Sequence, residues 1–112
     1  MPKISSSDQI CTVIVRCEVD PSIAKQYVEN ARETAETMKT LPGFISFSML
    51  ASEDGTEVMT YLQWKSIENH RFCETNPMWK DHSAGKKTYT WMTEGKVKMH
   101  VKTYAIPFVV EE

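Results

Sequence analysis

The chain has no apolar run near the roughly 20 residues that a bilayer-spanning helix needs. Its opening stretch, MPKISSSDQ, lacks the apolar centre of a secretory signal. It also lacks a dominant charge. Thirteen basic side chains face fifteen acidic ones, for a formal charge of -2, so no broad phosphate-binding or anionic-membrane surface is expected. Glycine is scarce, at four residues, and there is no Gly-rich phosphate loop, no G-x-S-x-G elbow and no H-E-x-x-H pair. Nucleotide-phosphate chemistry, the serine-hydrolase elbow and the zincin site are thereby excluded. Cysteine is limited to Cys11, Cys17 and Cys73, an odd number. The first two fall on one predicted strand, roughly 20 Å apart at the strand rise, and cannot bridge to each other. Free thiols point to the reducing cytoplasm.

What remains is ordinary for a globular chain: 41% hydrophobic and 25% charged over 112 residues. That length fits a single domain, 1–112, with one modest core. Residues 1–8 read as a frayed polar lead-in. Ile10 to Val19 (ICTVIVRCEV) is β-branched and apolar in both alternating registers, so it reads as a strand covered on both faces. Asp20-Pro21 supplies an N-cap and a first-turn proline. Ile23, Tyr27, Ala31, Ala35 and Met38 recur at helical spacing until Leu41-Pro42-Gly43 stops the helix.

Phe44 to Ala51 and Thr56 to Lys65 form a hairpin across the Asp54-Gly55 turn. Ser66 caps a second helix running to about Thr75, and Asn76-Pro77 interrupts it. Met78 to His82 reads as one further turn, Ser83 to Gly95 as a loop or broken helix, and Val97 to Ala105 as the last strand. Phe108 to Val110 is expected to extend along an edge, with 106–112 reaching a partner. The order is β-α-β-β-α-β, an α+β ferredoxin-like protomer. Ile45, Phe47, Met49, Met59 and Tyr61 are expected on the face away from the helices. Such an apolar face needs a covering, and a homodimer of facing sheets supplies one.

The segment TYLQWKSIENH (60–70) concentrates the candidate chemistry. Strand alternation puts Thr60, Leu62 and Trp64 on one face. His70, one turn into the following helix, is placed to look back over the sheet. Phe44, Met38 and Leu62 supply apolar walls, so a flat aromatic ligand fits the expected hollow. The plainer readings are a core role for Trp64, an ordinary strand threonine at 60 and a half-exposed helix histidine at 70. His70 and Cys73 at i, i+3 match a metal spacing, but no third ligand follows, so no metal is expected. Lys86, Lys87, Lys96, Lys98 and Lys102 read as a solvated rim.

The spans LPGFISFSML, ASEDGTEV and TYLQWKS resemble the antibiotic biosynthesis monooxygenase superfamily, whose members are dimeric α+β barrels. The likeness runs from Ile10 to about Tyr104 and is nearest to the small anthrone oxygenases of aromatic polyketide pathways. In those, the block at 60–64 resembles NYAQW, with a tyrosine six residues after the tryptophan. The asparagine falls on Thr60, the tryptophan on Trp64 and the tyrosine on His70, so only Trp64 matches by identity. The resemblance implies oxygenation of a small phenolic or quinol-type aromatic compound by dioxygen without any cofactor. Trp64 would orient the substrate, Thr60 would donate a hydrogen bond and His70 would take the proton. A haem-degrading branch carries a motif resembling SDVFKAAH. TNPMWKDH (75–82) is similar to it and puts His82 on the iron ligand, but the tryptophan and first-strand asparagine of that branch have no counterparts. A branch acting on small carbonyl-containing signal molecules, and a non-enzymatic ligand-binding dimer on the same fold, are the other readings.

Overall fold

The structure, a computed structural model, describes residues 10–112, and the lead-in expected at 1–8 lies outside the described residues. Four strands form one antiparallel sheet: β1 (Cys11–Val19), β2 (Phe44–Ala51), β3 (Glu57–Trp64) and β4 (Val97–Tyr104), in the order β2-β3-β1-β4. Helices α1 (Ala24–Met38), α2 (Ile67–Glu74) and α3 (Ser83–Thr93) belong to the connections around it, giving a ferredoxin-like α+β fold. Short 3-10 turns at Pro21–Ile23 and Pro77–Lys80 lead into α1 and α3.

The local signals act as their chemistry dictates. The Asp20 side chain accepts from the Ser22 amide ahead of Pro21. The Ser66 hydroxyl caps α2 by accepting from the Asn69 amide at 3.2 Å. Gly43 sits at φ +82°, and a Cβ there would collide with the Asn69 side chain. The chain therefore leaves α1 through a position that only glycine fills without strain.

Three expectations are corrected. Residues Ser83–Thr93 form a regular helix rather than a loop. Its inner side mixes the small and polar Ala84 and Thr88 with a single large apolar group, Trp91, whose ring lies 6.0 Å from that of Tyr27 on α1, so hydrophobic periodicity is weak there. The α1 residue Asn30 also joins the two helices, donating to the Ala84 carbonyl at 2.9 Å and to the Thr88 hydroxyl at 3.1 Å. Residues 105–112 form no strand, and Phe108 and Val110 stand exposed.

The third correction concerns which way β2 faces. Phe44 pairs with Trp64, yet Ser46 pairs with Gln63, so Ile45 is an extra residue in a bulge. Beyond it the alternation is inverted. Phe47 lies opposite Leu62 and Met49 opposite Thr60, on the helix-covered side. The face away from the helices therefore carries Ser46, Ser48 and Leu50 beside Met59, Tyr61 and Gln63, with Ser46 and Gln63 buried at one end of it. Across it run Arg16 and Glu18, which pair with Glu57 at 3.8 Å and with His100 at 3.3 Å. That face is mixed rather than apolar.

The core lies between sheet and helices in two clusters. One gathers Cys17, Val19, Ile23, Tyr27, Val58 and Val97; the other gathers Cys11, Val13, Leu62, Trp64 and Cys73.

Candidate active site

A cavity of about 190 Å³ opens between the helical layer and the inner sheet face. The sheet supplies Val13, Val15, Phe47, Met49, Thr60 and Leu62. Met38, Ala31 and Tyr27 come from α1, and His70, Cys73 and Glu74 from α2. Strand alternation aims the sheet residues inward, and the Ser66 cap fixes the first turn of α2 so that His70 follows one turn later.

Most of the wall is apolar, and its polar groups differ sharply in availability. The Tyr27 hydroxyl is committed to the Cys17 thiol at 3.2 Å, deep in the core. Burial, reinforced by that thiol, pushes the Tyr27 phenol well above its usual range. Thr88 donates to the Ala84 carbonyl and accepts from Asn30, and Thr34 donates to the Asn30 carbonyl. Thr60 is different: it is buried, and no side chain or backbone group among the described residues bonds its hydroxyl. His70 is buried as well, with Nε2 3.6 Å from a Glu74 carboxylate oxygen. Cys73 is a poor nucleophile, because burial and the neighbouring Glu74 charge push its thiol up to about 11.

The structure thus brings four of the six expected residues to one cavity: Thr60, His70, Met38 and Leu62. Trp64 and Phe44 do not line it. Trp64 is fully buried at the sheet's end, edge-on to Phe44 with centroids 5.7 Å apart, in the cluster behind Leu62 and Cys73. Nor is its indole N–H bonded to the backbone: it has no partner among the described residues. The indole on the cavity wall is that of Trp79, whose Nε1 donates to the Cys73 carbonyl at 2.8 Å. Sequence reasoning gave neither Trp79 nor Glu74 a place in the site. An i, i+4 relation to His70 was the available signal for Glu74.

His82 packs on Trp79, their rings edge-to-face at 5.0 Å. Its Nδ1 accepts from the Gly85 amide and caps α3. An amide only donates, so Nε2 carries the ring proton and gives it to Thr37 at 2.7 Å. Neither nitrogen has a lone pair free for iron, and His82 does not line the cavity. The haem ligand set therefore does not fit this chain. Among the described residues no three His, Cys, Asp or Glu side chains gather as a metal site.

The sequence matches the family described as antibiotic biosynthesis monooxygenase over residues 10–85. The chain belongs to that family. It is similar to tetracenomycin-F1 monooxygenase of Streptomyces glaucescens, 28% identical over 83 residues, or 73% of this chain and 74% of the relative. The fold superposes on SnoaB, a cofactor-independent oxygenase from Streptomyces nogalater, with a TM-score of 0.69. That likeness covers 93% of this chain and 99% of SnoaB at 16% identity. A protein from Methanosarcina mazei gives a TM-score of 0.66 at 13% identity, covering 88% of this chain and 94% of its own. At these identities the structural likeness speaks for the fold alone. The family match takes in β1, α1, β2, β3 and α2, which supply most of the cavity wall, and ends at the third residue of α3.

Proposed function

We propose that the chain is a cofactor-independent monooxygenase acting on a small phenol or quinol. The observation that carries this reading is the unbonded Thr60 hydroxyl facing the same apolar cavity as the His70 imidazole. The Thr60 oxygen is open to the cavity rather than sealed, so a ligand oxygen can bond it in place of water. The remaining wall is suited to an aromatic ring. A cavity of about 150 Å³ with aliphatic and aromatic walls takes up benzene, so this one suits a ring with its substituents.

In the proposed reaction His70 takes the phenolic proton and Thr60 donates to the resulting oxyanion. The electron-rich anion then gives an electron to dioxygen, and the two radicals combine at ring carbon. Phenol plus dioxygen becomes para-quinone plus water. One oxygen atom enters the ring, and the other leaves with the phenolic and ring hydrogens. The apolar wall excludes water from the radical pair. Trp64 stands behind the wall and supports it.

The position of Trp64 favours a second reading. The one side chain that matches the anthrone-oxygenase motif by identity does not reach the cavity. A non-enzymatic module that binds aromatic ligands has no need of it there. Oxygen uptake with a panel of anthrones and hydroquinones separates the two. Turnover by wild type that falls in His70→Ala and Thr60→Val supports the enzyme; binding without uptake supports the module.

The working unit in this proposal is a homodimer. Among the described residues no helix covers the outer sheet face, Leu50 is exposed on it, and the tail past Tyr104 presents Phe108 and Val110 with no strand to pair them. A second copy would cover both. Three buried free thiols fit a reducing cytoplasm, and no helix among the described residues is long and apolar enough to cross a membrane.

A further inference from the structure

Among the described residues Glu74 is the one carboxylate on the cavity wall, and no Lys or Arg lines it. The other titratable groups facing the imidazole across that space are Tyr27 from α1 and the neighbouring Cys73 of α2. Burial keeps both protonated. Glu74 sits one turn after His70 on α2, half-exposed where its partner is buried, with its oxygen 3.6 Å from Nε2. That separation is beyond hydrogen-bond reach, but an anionic oxygen beside Nε2 still favours hydrogen over a lone pair on that nitrogen.

We propose that Glu74 is a positioning residue for His70, holding the neutral imidazole as the Nε2–H tautomer so that Nδ1 is the proton acceptor. The inference rests on the reading of the cavity as a phenol site and adds a residue to it. When Nδ1 takes the phenolic proton, the cavity holds an imidazolium between phenolate and carboxylate. The phenol O–H bond breaks, the Nδ1–H bond forms, and no proton passes to Glu74. A second consequence concerns substrate charge. The resting wall is anionic through Glu74, so an uncharged phenol enters more readily than one carrying a carboxylate.

The test uses the full chain with ¹⁵N-labelled histidine. Imidazole nitrogen shifts are recorded above the pH at which the ring loses its second proton, with His70→Ala to assign the signal. Wild type is expected to show His70 as Nε2–H, and Glu74→Ala a mixture of tautomers. Glu68→Gln, which removes the same charge from the exposed face of the same helix, should leave the pattern unchanged. With a phenol that supports uptake, Glu74→Ala is expected to lower kcat about tenfold or more at a nearly constant KM. It should also narrow the preference for 1-naphthol over hydroxynaphthoate in binding. An unchanged tautomer pattern in Glu74→Ala overturns the proposal, and so does an unchanged kcat. A tautomer shift with no oxygen uptake by wild type on any phenol supports the positioning role and sinks the oxygenase reading.

Discussion

A threonine hydroxyl with nothing to bond to, inside an otherwise oily cavity, marks where a ligand oxygen belongs. Replacing Thr60 by valine keeps the shape and removes the unpaired group. The variant should therefore melt no lower than wild type, by calorimetry, while binding phenols several-fold more weakly, as expected from losing a bond of about 1 kcal/mol. A fall in both stability and affinity would point to a hydroxyl that serves the fold. Cys73 gives a pH signature at the same scale. Its thiol titrates near 9.0 when free and is pushed up to about 11 in the fold. The folded chain thus holds that proton more tightly than the unfolded one. The stability linked to it is complete below pH 9 and is lost as pH rises through 11. Thermal melts should fall across that window, and Cys73→Ala should flatten the fall. At this scale the sequence carried much of the site. Alternation put Thr60 and Leu62 on one face, and helical phase brought His70 over it. It could not reveal that the cavity ends short of Trp64. That depends on Phe44 closing edge-on against the indole at the end of the sheet, a contact between residues twenty positions apart.

At the scale of elements, α2 is a short helix that carries His70 and Glu74, so its cap has functional weight. Ser66→Ala should cost about 1 kcal/mol in denaturant unfolding. Because His70 lies in the first turns that the cap secures, turnover should drop as well. Intact turnover with the stability loss would show that α2 is held by packing alone. The hairpin, the first helix and its glycine exit were legible because each depends on one or two residues with strict backbone preferences: Asp54-Gly55, Asp20-Pro21 and Gly43. Two elements were not. Helix α3 is bound to α1 through the Asn30 amide and one ring contact, Trp91 on Tyr27, rather than a full apolar stripe, and hydropathy periodicity is blind to amides. The bulge at Ile45 shifts the phase of β2 without any glycine or proline to announce it, so Phe47 and Met49 turn up in the cavity wall.

For the whole molecule, the open sheet face and the unpaired tail call for a second copy. Sedimentation equilibrium should report a dimer for the full chain, and truncation after Tyr104 should weaken it measurably. A monomer at high concentration would remove the dimeric barrel from the account. Face-to-face packing was inferred from an apolar outer surface, but the surface is mixed, with Arg16, Glu18, Glu57 and His100 paired across it. Charge placement, more than hydrophobic area, would then set how two copies align. The most direct measurement remains dioxygen consumption with anthrones and hydroquinones, without added metal, flavin or haem. Quinone formation with one dioxygen consumed per product, abolished in His70→Ala and reduced in Thr60→Val, is the predicted result. Wild-type consumption no faster than buffer across the panel, or full activity in His70→Ala, would contradict it.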